Sequence, residues 1–222
     1  MKRLYPDVTC YQNGFIKVGC GHSLYYEQSG NPQGIPVLFV HGGPGAGLPP
    51  NYKCFFDSNR YRIIGFEQRG CGRSTPLAST KDNDTWLNVD DIETLRRLLN
   101  VPRWLVFGGS WGATLALLYA FKYEAHVSGL ILRGVFLARQ QDRDWFLSPQ
   151  GGGAQLFPEY YRQFVKGINS PLSTAAICAH YFDTLKADNE VQRHAALKKS
   201  DFRAYLCHQA LETLAANIPY HL

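Results

Sequence analysis

The chain has 222 residues, 45% of them hydrophobic, enough to bury the core of one α/β domain with an insertion and too apolar for a disordered chain. Its formal net charge of +5 arises from 23 basic and 18 acidic residues scattered without a Lys/Arg run, which argues against a nucleic-acid partner. Cys10, Cys20, Cys54, Cys71, Cys178 and Cys207 lie far apart without zinc-like spacing, so reduced thiols are expected and a structural metal is not. The start, Met1-Lys2-Arg3-Leu4-Tyr5-Pro6-Asp7, has no apolar stretch behind it, and no apolar run approaches membrane-spanning length. A soluble cytoplasmic protein is the expectation.

Phe15-Ile16-Lys17-Val18 and Ser23-Leu24-Tyr25-Tyr26-Glu27 alternate as strands do, and Gly19 to Gly21 suits a tight hairpin turn between them. Ile35 to Val40 and Tyr61 to Phe66 are short, nearly continuous apolar runs, the pattern of strands covered on both faces. Trp104 to Phe107 and Leu130 to Leu132 repeat it. Between the second and third of these runs, Val89, Ile92, Leu95 and Leu99 recur at helical spacing, with Asn88 as a candidate cap and Asp90 and Asp91 suited to the first turn. This alternation predicts a largely parallel sheet flanked by helices, with its site at the carboxyl ends of the strands.

The stretch from Ala113 to Tyr123 is apolar nearly all round, and Gly112, Ala113, Ala116 and Ala120 are small enough to pack against a sheet, which predicts a central, buried helix. From Ala138 the chain turns to more polar helical stretches with aromatic insertions, broken by Gly151 to Gly153, Pro158 and Pro171. The expected division is therefore a core over 1–137 and a helical cap segment with a divergent tail over 138–222. Leu211, Leu214, Ala215 and Ile218 suggest a further helix in that tail.

The chemistry concentrates in two glycine-rich turns. Gly108-Gly109-Ser110-Trp111-Gly112 follows a strand and opens a helix, the setting of a nucleophile elbow that leaves the Ser110 hydroxyl exposed at a sharp bend. His41-Gly42-Gly43-Pro44-Gly45 follows the strand ending at Val40, where an α/β hydrolase draws one backbone N–H of its oxyanion hole. The backbone N–H of Trp111 would be the second donor, and His41, too early in the chain for the Ser…acid…His order, is expected to shape the loop. Neither His41 to Gly47 nor Gly70 to Ser74 has the Gly-Lys-Ser/Thr ending of a phosphate cradle.

With Gln68-Arg69-Gly70-Cys71-Gly72-Arg73-Ser74, these motifs resemble, in order and spacing, the prolyl aminopeptidase (proline iminopeptidase) family of the α/β-hydrolase fold, from about Gly14 to about Leu197. The resemblance implies a serine peptidase that releases N-terminal proline from peptides without metal or organic cofactor. Ser110 would be the nucleophile, and Gly43 and Trp111 would hold the oxyanion. It also implies a substrate pocket containing Arg133 and Phe136, from Arg133-Gly134-Val135-Phe136, together with Phe146. Glu67 stands where the family usually has Asp, a change expected to preserve a charge pair within the loop.

The acid and histidine of the triad are unassigned. The family's later segments, a Trp-rich helix ending in Glu, a strand leading to Asp and a strand leading to His, have no match after Lys198, and no Trp follows Trp145. The last strands of the sheet are therefore expected to be absent, with one edge and an apolar face left open. Asp142 and Asp144, with His180, His194, His208 or His221, occur in an allowed order, but Asp144-Trp145-Phe146 resembles a cap-entry segment of the family and His180, His194 and His208 sit in helix-like contexts. A serine without its base is a poor nucleophile, so weak activity is expected. An inactive fragment or binding module, and an esterase or amidase of the same fold, are the alternatives.

Overall fold

The first two alternating segments lie within longer antiparallel strands, β1 (Cys10–Gly19) and β2 (His22–Gly30), joined by a turn in which Gly19, Cys20 and Gly21 all have positive φ. The chain continues through β3 (Ile35–Val40), β4 (Tyr61–Phe66), α1 (Thr85–Leu98), β5 (Trp104–Gly109), α2 (Trp111–Lys122) and β6 (Val127–Arg133). In this computed structural model residues 4–137, 139–169 and 171–186 are described. They fall into two compact units divided after Leu137.

The first unit is built on a six-stranded sheet in the order β1-β2-β4-β3-β5-β6, with β4, β3, β5 and β6 mutually parallel. Alternation explains why the central strands read as unbroken apolar runs. Leu38, Val40 and Val106 face a cluster with Ile92, Leu95 and Leu115 from α1 and α2, while Val37, Phe39 and Phe107 face Tyr52, Phe56 and Ile63. Phe107 is stacked with Phe39 and Phe55 at centroid distances of 5.4 and 5.5 Å.

Two expectations change. Asn88 does not cap α1: Asp84 does, its extended backbone letting the side chain accept from the Leu87 N–H at 2.9 Å. Asn88 lies a turn inside the helix and donates to Asn83 Oδ1, while Asp91 points into the protein as the partner of Arg69. The helix after Ser110 is buried where it meets the sheet and α1, not all round. Ala113, Leu115, Ala116 and Tyr119 are enclosed, whereas Phe121 is 84% exposed.

Among the described residues β6 is an edge strand, and this is why a run that reads like a covered strand is partly open, with Leu130 and Ile131 at 36% and 42% exposure. The described cysteines, Cys10, Cys20, Cys54, Cys71 and Cys178, are free thiols. No helix among the described residues is long and apolar enough to cross a membrane.

On the buried face of α1, Glu93 accepts from Arg96, Arg97 and Tyr119. Burial pushes its carboxyl up, but these bonds outweigh burial and hold its pKa at about 2, below an ordinary value of 4.5. Because the folded value is the lower one, the stability it contributes is complete above about pH 4.5 and is lost as pH falls toward about 2. Glu93→Gln is expected to flatten the acid limb of the melting-temperature profile in that window. The effect should be on the order of 1 kcal/mol, because the Arg97 side chain is 70% exposed and its share is screened by solvent, and thermal melts at stepped pH measure it.

The second unit is helical: α3 (Gln140–Leu147), α4 (Gly152–Leu156), α5 (Pro158–Phe164) and α6 (Thr174–Lys186). Pro158 opens α5 in its first turn, and Gly151 precedes α4 where a Cβ would come within 2.4 Å of the Asp144 and Trp145 carbonyl oxygens. Tyr161, Phe164, Ile177 and Tyr181 form its core. The expected tail helix lies outside the described residues, as do His194, His208 and His221.

Candidate active site

Strand register brings the glycine-rich turns together. Val40 pairs with Gly108 and Gly109 with Arg133, so the loop after β3, the bend after β5 and the end of β6 share the carboxyl edge of the sheet. At the bend Ser110 takes φ 56° and ψ −122°, a conformation side chains rarely adopt. It is held there from both sides: its N–H donates to the Arg133 carbonyl at 2.9 Å and its carbonyl accepts from the Ala113 N–H at 2.9 Å. The residue is exposed, and its hydroxyl makes no hydrogen bond among the described residues.

The glycines are there because backbones cross. A Cβ on Gly112 would lie 2.1 Å from the Val40 carbonyl oxygen, and one on Gly108 would lie 2.3 Å from that of Gly112. Gly42 is less constrained: its Cβ would meet the Gly109 carbonyl at 3.0 Å and Ser110 Cβ at 3.4 Å. Gly42→Ala is therefore expected to fold but to lose about 1 kcal/mol by overpacking, read as a lower urea midpoint at unchanged slope.

The His41 to Gly45 loop is tightly wound. Gly43 has φ +122°, and a Cβ there would fall 2.4 Å from the Gly45 nitrogen, so the loop closes only with glycine at that position. His41 is 1% exposed, and burial lowers its pKa. Its Nε2 accepts from the Gln68 backbone N–H at 3.1 Å, which leaves the proton on Nδ1, 2.9 Å from the Gly42 carbonyl. Both ring nitrogens are committed, as befits a residue that shapes the loop.

A cavity of about 250 Å³ opens at Ser110, walled by Phe39, Phe107, Pro49, Gly42 and Arg133. The Arg133 side chain is exposed and makes no ion pair among the described residues. Phe136 is half-buried, and its carbonyl accepts from the Thr114 hydroxyl on α2. A second cavity of about 440 Å³ lies between the loop at Pro44 and Gly45, the Gln68 to Cys71 turn, the start of α1 and Trp111.

The structure thus places Ser110, Gly43, Trp111, Arg133 and Phe136 in the first unit, and Phe146 on α3 of the second. No described histidine of the first unit hydrogen-bonds the Ser110 hydroxyl. His22 Nε2 lies 2.8 Å from the Lys81 carbonyl, and His126 Nδ1 lies 3.2 Å from that of Pro102. In the second unit Asp142 pairs with Arg139, and Asp144 accepts from Gln140 and Thr174. His180 belongs to α6 there.

The Gln68 to Ser74 motif frames this edge. Glu67 receives Arg73 through side chain and backbone, the expected charge pair. Burial pushes its carboxyl up, yet the Arg73 bonds and the Leu48 N–H bring it below its ordinary value. Arg69 binds Asp91 bidentately at 2.7 and 2.8 Å and also donates to the Asp82 and Val18 carbonyls. The sequence reading missed this use of Arg69 and Asp91, and that of Gln68. Their signal was present as polar residues in the predicted helix and turn, but nothing in their spacing reveals a contact 22 residues apart.

An exposed serine on a strained strand-to-helix bend, beside a glycine loop at the carboxyl edge of a parallel sheet, defines the class. The chain belongs to the α/β hydrolase fold family, whose model matches residues 35–206. Within that class it is 46% identical over 196 residues to a probable proline iminopeptidase of Leptolyngbya boryana and 48% identical over 198 residues to the proline iminopeptidase of Xanthomonas citri. The matches take in 88% and 89% of this chain but 60% and 62% of those proteins, so the chain spans about three fifths of the length of these curated relatives. The crystal structure of a proline iminopeptidase-related protein from Thermus thermophilus, 24% identical, superposes with a TM-score of 0.54 over 87% of this chain and 66% of its own, a likeness of fold.

Proposed function

We propose that this chain is a serine hydrolase of the acyl-transfer type, directed to peptides with an N-terminal proline. The observation that carries the reaction class is Ser110 itself, exposed at φ 56° and ψ −122° where β5 turns into α2. The substrate class is supported by the identity to proline iminopeptidases. In this reading Ser110 Oγ attacks the prolyl carbonyl while the backbone N–H groups of Gly43 and Trp111 receive the developing oxyanion. The C–N bond then breaks as the amine takes up the proton given up by Ser110, and water hydrolyses the acyl ester, releasing proline and returning a proton to Ser110 Oγ. Phe39, Phe107 and Pro49 offer apolar walls in a volume suited to a pyrrolidine ring, with Arg133 and Phe136 as further substrate-binding residues. No step calls for a metal or organic cofactor.

The attack requires a base to take the serine proton, and no described histidine of the first unit hydrogen-bonds the Ser110 hydroxyl. Turnover by this chain is accordingly proposed to be slow. The test is a panel of prolyl, alanyl and leucyl arylamides with an acyl ester, run on the chain and on Ser110→Ala. A preference for the prolyl arylamide of about tenfold or more that disappears with Ser110 supports the reading. Ester cleavage that survives Ser110→Ala, or the absence of any prolyl preference, contradicts it.

A further inference from the structure

The two segments that carry the proposed oxyanion donors, the His41 to Gly45 loop and the first turn of α2, are bonded to one buried side chain. Gln68 is 3% exposed and lies just beyond the carboxyl end of β4. Its Nε2 donates to the His41 carbonyl at 2.8 Å and also lies 3.2 Å from His41 Nδ1, and its Oε1 accepts from Trp111 Nε1–H at 3.2 Å. Its backbone N–H donates to His41 Nε2 at 3.1 Å. The orientation of the amide is fixed by chemistry, because an indole N–H only donates and a carbonyl only accepts. Pro44, Gly45, Gln68 and Trp111 all border the cavity of about 440 Å³, so packing alone does not fill the space between loop and indole.

We infer that Gln68 is a positioning residue for acyl transfer: its carboxamide spans the His41 loop and the Trp111 side chain and keeps the two oxyanion donors at a fixed spacing. The inference rests on the acyl-transfer reading above. An oxyanion hole works because its donors are already aimed before charge develops, and a misplacement of about 1 Å can cost about 10²-fold. Backbone contacts at Gly112 and Gly42 fix the bases of the two segments, and the Gln68 bridge ties them further out. The buried His41 belongs to the same device, with Gln68 holding its carbonyl and its ring.

Three variants separate the arms. Gln68→Met keeps the length and removes every polar contact of the carboxamide. Gln68→Glu keeps an acceptor for Trp111 and removes the donor to His41, while Trp111→Phe removes the indole donor and keeps the backbone N–H. Each is measured by the inactivation constants of a fluorophosphonate at Ser110, by amide hydrogen exchange over 41–45, and by melting temperature. Expected for Gln68→Met are a maximal inactivation rate lowered about 10- to 100-fold with the probe's binding constant nearly unchanged, and exchange over 41–45 faster by about tenfold or more. The effects of Gln68→Met and Trp111→Phe should be less than additive, since they break one bridge. If Gln68→Met does not fold, Gln68→Glu and Trp111→Phe carry the same expectations with smaller losses. Folded variants with unchanged inactivation and unchanged exchange overturn the bridge, as does a loss of melting temperature alone. Were the unmodified chain not labelled at Ser110, the acyl-transfer reading would fail, and the exchange difference would still decide whether Gln68 holds the loop.

Discussion

Proline release from a prolyl arylamide by the purified chain is expected to be about 10⁴-fold or more slower than that of a full-length relative, with the remainder abolished by Ser110→Ala. The magnitude follows from how catalytic groups of a serine hydrolase act as a unit: losing the base costs about as much as losing the serine, and what survives is transition-state binding. The unit present here has an exposed serine at a strained bend and a wound glycine loop beside it. Of the described histidines of that unit, His41 commits both ring nitrogens, to Gly42 and Gln68, His22 and His126 each give one, to Lys81 and Pro102, and none bonds the Ser110 hydroxyl. Matched assays of both proteins measure it, and a rate within tenfold of the relative would show that a base reaches Ser110.

Unpairing the buried ion pair under the Gln68 to Ser74 turn is expected to have the largest effect on stability. Asp91→Ala should cost about 3–5 kcal/mol, because it strands the Arg69 guanidinium in the interior. The Arg69 and Asp91 side chains are 1% and 3% exposed. Burial raises the Asp91 carboxyl and the two Arg69 bonds oppose it, while those bonds raise Arg69 itself. Arg69 also reaches the Val18 and Asp82 carbonyls, so it ties β1, the loop before α1 and α1 together. Replacing both members, Arg69→Met with Asp91→Leu, should recover part of the loss, since no charge is then left alone. Urea denaturation of the single and double variants measures both. A loss below about 1 kcal/mol for Asp91→Ala would contradict the account.

The sequence revealed what is local. Runs such as Val37 to Val40 and Ile63 to Phe66 announce strands covered on both faces, and glycines 108 and 112 announce a close crossing because nothing larger fits. The loop after β3 was legible for the same reason. What was not legible depends on contacts between distant segments. Asn88 has the type of a cap, yet Asp84 closes the helix end because the backbone turns four residues earlier. Asp91 looks like a first-turn charge and is a core partner. Leu130 to Leu132 read as a covered strand, but their exposure is set by what lies beside β6, which no pattern within β6 records. Gln68 was visible only as one letter of a motif, and its bonds to the His41 carbonyl and the Trp111 indole emerge when β4 is placed beside β3 and α2.

The central claim is that the bend at position 110 presents one serine, among all those in the chain, to an acylating reagent. Treating the folded protein with a fluorophosphonate and locating the adduct by peptide mass spectrometry tests it directly. The account predicts slow modification confined to Ser110, absent in Ser110→Ala and lost when the protein is unfolded in urea. Modification spread over several serines, or equal in folded and unfolded protein, would contradict it.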